Sequence, residues 1–259
     1  MHKAYKSVRK IFGFIWALYT LFWISVIGIV ALFFFLIFYN LGGKYAWHIC
    51  HHITKIWAAV FMALSGLPVV TKGRKMVDRK QTQVFVCNHV DLIDVPAATA
   101  ALPGDFTILA KNEVRKIPII GYMLPRIHYS VIRSDKDSRK KSFDWLNKTL
   151  LSGRSILLYP EGTRNAGPQL TGEFHSGAFR LAIQNQLPLT VVTMLDTYKR
   201  MNKRRGMSIY PGPLRAIFSA PISTVGMRES DVPELMTRVK AMMEEKLRKV
   251  YGDSLPDPN

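Results

Sequence analysis

The sequence predicts an α/β domain: a mixed, largely parallel sheet flanked by helices and preceded by N-terminal hydrophobic membrane-anchoring helices. Three observations carry this. Short β-branched or aliphatic runs alternate with helix-period stretches from Val69 onward, the pattern of a sheet covered on its faces. Before them, Ile11 to Gly43 form 33 consecutive residues without an acidic or basic side chain. The whole chain is 48% hydrophobic and 21% charged, enough apolar surface to offset the entropy of ordering 259 residues, so disorder is excluded.

The N-terminal run includes Phe14, Ile15, Trp16, Leu18, Phe22 and the sequence Phe33-Phe34-Phe35-Leu36-Ile37-Phe38. Spanning a bilayer takes about 20 apolar residues, whereas a secretory signal has an apolar core of roughly 7–15 and a small-residue cleavage site. The run is therefore a membrane segment. Lys3, Lys6, Arg9 and Lys10 precede it, and Lys44, Lys55, Lys72, Arg74 and Lys75 follow, which draws both ends toward the cytoplasm. A second uncharged stretch, Ile56 to Val70, has 15 residues, too few to span unaided and suited to an interfacial or re-entrant helix. The expected anchor enters one leaflet, or crosses and returns, leaving the remaining chain on the cytoplasmic face; a simple span is the alternative. His48, His51 and His52 lie at helical spacing but read as interfacial polar positions, with no metal expected.

The remaining elements follow from periodicity. Strands are expected at Val69–Lys72, Gln83–Cys87, Phe106–Ala110, Ser130–Arg133, Ser155–Tyr159, Leu189–Met194, Ser208–Tyr210 and Ala216–Ser219. Helices are expected near Leu92–Ala101, Ser138–Leu151, Ala178–Asn185 and Val232–Tyr251, the last begun by Asp231 and Glu234 at capping-box spacing. The organisation is residues 1–66 as membrane-anchoring helices, 67–253 as the α/β domain and 254–259 as a short tail. Two cysteines, Cys50 and Cys87, exclude a disulfide-framed secreted domain. With 36 Lys and Arg against 18 Asp and Glu, the net charge of +18 calls for an anionic partner.

Four segments carry potential chemistry. In Asn88-His89-Val90-Asp91-Leu92-Ile93-Asp94, an apolar strand runs into a helix start, where α/β sheets present functional groups. An imidazole with an ordinary pKa of about 6.5 can take a proton, and a carboxylate on its other nitrogen fixes the tautomer. Five residues on one helix would splay His89 and Asp94 by about 140°, so they meet only if His89 lies in the turn and Asp94 in the first helical turn. Asp91 would then serve as the N-cap. A turn histidine beside ordinary capping acids fits the segment equally well. Tyr159-Pro160-Glu161-Gly162-Thr163-Arg164 also follows a strand: Gly162 permits close backbone approach, Thr163 offers a hydroxyl and Arg164 a planar fork for phosphate. Glu161 is placed to orient the arginine or to bind a substrate hydroxyl; a surface Glu–Arg pair in a Pro-Gly turn is the plainer reading. Lys111 to Gly121, with Arg133 beyond, offers basic residues and a Pro118–Gly121 pair, and Gln186 to Val192 reads alone as a buried strand.

Together these segments resemble, in order and character, the four sequence blocks of the glycerolipid acyltransferase family. The His-x4-Asp block is met by His89 and Asp94, with Asn88 before the histidine; the second by Lys111, Pro118, Gly121 and Arg133; the third, Pro-Glu-Gly-Thr-Arg, by Pro160 to Arg164; the fourth by Leu187–Val192. The resemblance covers about Leu67 to Ile222. Asp91 stands where the family often has Ser, Ile132 where lysophosphatidic acid enzymes often have Asp, and Phe174-His175-Ser176-Gly177 replaces a Phe-Lys-x-Gly stretch. The resemblance implies direct acyl transfer from an acyl-carrier-protein or acyl-coenzyme A thioester, with no other cofactor, to the free hydroxyl of a lysophospholipid such as 1-acyl-glycerol-3-phosphate. His89 is then the general base oriented by Asp94, and Asn88, Lys111, Arg133, Glu161, Gly162, Thr163 and Arg164 bind substrate. No Gly-x-Ser-x-Gly elbow is present for a serine acyl-enzyme.

Anionic membrane lipids account for the charge without nucleic acid, and the clusters Arg139-Lys140-Lys141 and Lys199-Arg200 with Lys203-Arg204-Arg205 are placed to meet headgroups or an acidic carrier protein. Two alternatives stand beside this reading. The acceptor could be another lyso-lipid, such as a lyso-aminolipid, or the chain could be a non-catalytic basic protein that binds anionic lipid or nucleic acid.

Overall fold

The computed structural model describes residues 2–132, 134–165, 167–202 and 206–255. Helix α1 (His2–Leu41) leads through a tight turn to α2 (Ala46–Leu64), which folds back along it. The domain then runs β1 (Val69–Lys72), β2 (Val84–Cys87), α3 (Asp94–Ala101), β3 (Phe106–Lys111), α4 (Ile120–Ile127), β4 (Tyr129–Val131), α5 (Lys136–Leu151), β5 (Ser155–Leu158), α6 (Gly177–Gln184), β6 (Leu189–Leu195), α7 (Thr197–Arg200), β7 (Leu214–Phe218) and α8 (Val232–Tyr251). The seven strands lie in the order β1-β7-β6-β2-β5-β3-β4, and every neighbouring pair is parallel except β6 with β7. The expected mixed, largely parallel sheet is what forms.

Side chains alternate across the sheet because successive residues of a strand point to opposite faces. Phe85, Cys87, Leu157, Val192 and Met194 enter one core with Phe61 and Met62 of α2 and Ala97, Ala98 and Ala101 of α3. Val84, Val86, Ile156, Leu158, Leu189 and Val191 enter the other with α5, α6 and α8. Burial on both faces explains why β2, β5 and β6 read as unbroken apolar runs. The alanines of α3 let that helix approach the sheet closely. Pro96 is tolerated in its first turn, where a backbone N–H would have no helical partner.

The N-terminal helices are tied into this frame. Trp16 Nε1 donates to the Ser65 carbonyl at 2.9 Å, and Ile209 N–H donates to the Gly13 carbonyl at 3.0 Å. The segment Ile56 to Val70 is not one helix: α2 ends at Leu64, with Ala58, Phe61 and Met62 buried, and the chain enters β1 at Val69. The outer surface of α1 stays apolar and open, with Ile11, Ile15, Phe22, Ile29 and Phe33 each more than half exposed. Within Ser7–Leu41 the helix is long and apolar enough to cross a membrane.

Two expectations change, and one helix is added to those expected. Ser208–Tyr210 is no strand; only a single bridge, Met201 to Ile209, forms, because Ile209 gives its N–H to α1 and Pro211-Gly212 ends the segment. Asp231 does not cap α8 with its side chain; it reaches back to accept the Arg228 N–H at 2.7 Å, closing the preceding turn. Helix α4 was hidden by Pro118 and Pro125 and is entered through Ile119 at φ +66°, a strained value for a β-branched residue.

Phe179, wholly buried on α6 between the sheet and α8, tests the packing. Phe179→Ala is expected to lower unfolding free energy by about 3–5 kcal/mol, while Leu151→Ala at an exposed helix end changes it by less than about 0.5 kcal/mol. Denaturant unfolding in detergent followed by circular dichroism reads both.

Candidate active site

Parallel strands β5, β2 and β6 lie side by side and release three loops at one sheet edge. Chain order reverses here, since β2 is followed by β3 on one side while β6 returns to the other; such a crevice is where open α/β sheets hold ligands.

The loop after β2 carries Asn88 and His89, and α3 begins at Asp94. Asp94 is fully buried, and its carboxylate takes four hydrogen bonds. Oδ2 accepts from His89 Nδ1 at 3.1 Å, from Val90 N–H at 2.6 Å and from Asp91 N–H at 2.8 Å; Oδ1 accepts from Thr197 Oγ1 at 2.6 Å. The turn–helix boundary thus brings His89 and Asp94 together as their spacing requires. With Nδ1–H directed at the carboxylate, the neutral ring keeps Nε2 as its acceptor. The imidazole stacks on Tyr159, ring centroids 4.3 Å apart.

Glu161 holds the histidine loop from beneath. Oε1 accepts the His89 N–H at 2.8 Å and Oε2 accepts the Gly172 N–H at 2.7 Å. Both oxygens thus accept backbone N–H groups inside the protein, while Arg164 pairs with Asp91 rather than with Glu161. Burial pushes its pKa up from 4.5 to about 6, although the two N–H donors and the nearby histidine oppose the rise.

Asn88 likewise turns inward: Nδ2 donates to the Met194 carbonyl at 3.1 Å and Oδ1 accepts the Met194 N–H at 2.7 Å, clamping β2 to β6. Its side chain is buried. Asp91 is not the N-cap of α3, whose capping position is Ile93 without a side-chain bond. Instead, Oδ1 of Asp91 accepts from Arg164 Nη1 at 2.8 Å, while its buried Oδ2 has no hydrogen-bond partner among the described residues.

Gly162 has φ +64°, and a Cβ there would lie 2.8 Å from the His175 ring, so the turn needs glycine. Thr163 is exposed, and Arg164 keeps 31% of its side chain exposed at the mouth. Lys111 ends β3 at the same edge, two strands from β2, with its ammonium 2.9 Å from Glu113. Arg133 and Lys203, Arg204 and Arg205 lie outside the described residues. Arg200 is turned onto the Pro211 carbonyl at 2.9 Å, and Lys199 lies 3.4 Å from Asp196, so that pair is engaged within the protein.

Sequence reasoning missed Thr197 and the clamping roles of Asn88 and Glu161. The signal available for Thr197 was its place just past β6, at the same sheet edge. Among the described residues no group of three or more His, Cys, Asp or Glu is placed to hold a metal.

The chain is similar to several known proteins. A family model described as Acyltransferase matches residues 68–195, which include His89, Asp94, Glu161 and Arg164. The 1-acyl-sn-glycerol-3-phosphate acyltransferase of Saccharomyces cerevisiae is 25% identical over 217 residues, covering 81% of this chain and 70% of the yeast protein. That of Cocos nucifera is 23% identical over 209 residues, covering 80% of this chain and 63% of its own. The alpha enzyme of Mus musculus is 27% identical over 194 residues, covering 74% and 68%. The crystal structure of the 1-acyl-sn-glycerophosphate (LPA) acyltransferase PlsC from Thermotoga maritima shares the fold, with a TM-score of 0.77 at 22% identity over 93% of this chain and 97% of that one.

The raised pKa of Glu161 makes a prediction with a definite sign. A carboxyl favoured in its neutral form by the fold contributes stability below its ordinary pKa of 4.5, and loses it as pH rises through about 6. Relative to Glu161→Gln, which does not titrate, the wild type is expected to lose about 2 kcal/mol between pH 4 and pH 7.5. Urea unfolding of both proteins across that range checks it.

Proposed function

We propose, from the match of residues 68–195 to the acyltransferase family model, that the chain is an acyltransferase that moves a fatty acyl group from an acyl thioester to the free 2-hydroxyl of 1-acyl-glycerol-3-phosphate. The observation that carries the reading is the 3.1 Å contact of His89 Nδ1 with the buried Asp94 carboxylate, which leaves Nε2 as the proton acceptor. In the proposed step, Nε2 takes the hydroxyl proton as that oxygen attacks the thioester carbonyl. The tetrahedral adduct collapses, the carbon–sulfur bond breaks, and the thiolate leaves with the proton that His89 held. Asp94 stabilises the imidazolium between the two transfers. The donor is acyl carrier protein or coenzyme A in thioester form, a co-substrate rather than a resident cofactor.

Arg164, at the mouth of the site, is the cation assigned to the acceptor phosphate, with Lys111 and Arg133 as further candidates. Gly162 shapes the loop that presents it, Thr163 adds an exposed hydroxyl, and Glu161 and Asn88 position the loops from within. The open apolar face of α1 supports membrane association, because a surface of that kind is stable in lipid and costly in water. Soluble acyl thioesters are cytosolic, which favours the cytoplasmic face for the domain. One observation favours a second acceptor class, a lyso-aminolipid: Asp91 occupies Arg164 and adds a carboxylate oxygen without a partner.

Membranes carrying wild type or His89→Ala, given a long-chain acyl thioester and lysophosphatidic acid, test the proposal. Phosphatidic acid formation by wild type, reduced about 10²–10⁴-fold in the variant, is the expected result. Failure of the wild type with this acceptor, but transfer to a lyso-aminolipid, would move the reading to the second class. Turnover unaffected by His89→Ala would overturn the mechanism.

A further inference from the structure

Beyond the acyl-transfer site, we propose that an open pocket at the opposite edge of the sheet binds a phosphoryl-bearing polyanion. The pocket has a volume of about 570 Å³ and is lined by His52 and Lys55 of α2, Arg74 just after β1, Arg79 and Lys80 before β2, and Asp105 before β3. The segments entering β2, β3 and β5 all meet there, whereas His89 lies past the far end of β2. Four residues of strand separate the two edges by about 13 Å. The volume falls in the range of small-ligand sites, roughly 300–1,000 Å³.

Charge and preorganisation identify the ligand. Among the described residues, Arg74, Arg79 and Lys80 form no ion pair, unlike most cations nearer the catalytic edge. The carboxylate in the lining, Asp105, is occupied by His48 Nδ1 at 2.5 Å, with His51 and His52 at 4.0 and 3.9 Å. Asp78, in the same turn as Arg79, accepts the Lys80 backbone N–H at 2.8 Å. Lys55 is held in place by the Leu102 and Gly104 carbonyls at 2.8 and 2.9 Å, which leaves one N–H of its ammonium for a ligand. Four cations from three segments converge on a space with one engaged carboxylate. Mutual repulsion of that kind is relieved by a multiply charged anion. Two arginines favour phosphoryl oxygens, which match the planar guanidinium fork.

A soluble phosphate ester and the headgroup of an anionic lipid present the same chemistry, and the experiment separates them. Full-length protein in neutral detergent is titrated calorimetrically with inorganic pyrophosphate. It is then floated with phosphatidylcholine vesicles with and without phosphatidylglycerol. The pocket variant is Arg74→Ala/Arg79→Ala/Lys80→Ala; the control, Arg228→Ala/Arg238→Ala/Lys249→Ala, removes the same charge from exposed positions around α8. Arg74→Lys/Arg79→Lys retains the charge and guards against a folding artefact.

Pyrophosphate binding that weakens at least about tenfold in the pocket variant, falls by less in the lysine variant, and survives in the control and in His89→Ala is the expected result and assigns a soluble ligand. Absence of pyrophosphate binding, with phosphatidylglycerol-dependent flotation lost in the pocket variant alone, supports the site with a lipid headgroup as its source. Equal losses in pocket variant and control, or no anion response in the wild type, would overturn it. Because His89→Ala leaves the pocket intact, failure of this proposal and failure of the acyl-transfer reading are separable.

Discussion

A carboxylate withdrawn from water is tolerated only when its lone pairs are taken by donors, and the active edge of this protein is arranged around that requirement at Asp94. The donors come from the His89 ring, from two N–H groups of the loop between His89 and the helix, and from Thr197 past the end of β6. Removing any one would leave a buried charge partly unsatisfied. Asp94 therefore fixes the imidazole, shapes the turn that carries it and joins β2 to β6 at once. Asn88 repeats that last connection through Met194, and Glu161 draws the β5 loop beneath His89. Neighbours on three strands hold the ring in place.

This arrangement depends on strand order. Only with β5 and β6 on either side of β2 do residues separated by 72 and 103 positions reach the same histidine loop. The two cores enforce that order by demanding apolar residues on both faces of the central strands. Helix α2 contributes to one of those cores, so the hydrophobic N-terminal pair is fastened to the domain while the outer face of α1 stays open. The proposed acyl transfer at a lipid surface would use that combination: an open apolar face on α1 and a site held at fixed geometry beside it.

Much of this was legible in the sequence, for identifiable reasons. Strands β1 to β7 announce themselves as short apolar runs between turns, and α8 by its helical period, because local pattern decides them. His89 and Asp94 were legible because their contact spans five residues and a single turn–helix boundary. The contacts that failed to appear are the distant ones. Nothing local says that Asp91 meets Arg164, that Glu161 faces inward, or that Asp105 reaches His48; each is a product of sheet order. Ser208–Tyr210 shows the converse, a β-like run whose N–H was taken by α1 before any strand could use it.

The most direct test of the account is the tautomer of His89, read by nitrogen-15 NMR on histidine-labelled protein at pH 8, with His89→Ala assigning the resonance. A ring protonated on Nδ1 and bare on Nε2 is the predicted result, since only that tautomer donates to Asp94 and accepts a hydroxyl proton. A ring bare on Nδ1 and protonated on Nε2 would contradict it, leaving Asp94 without its histidine donor and the proposed base without a free Nε2.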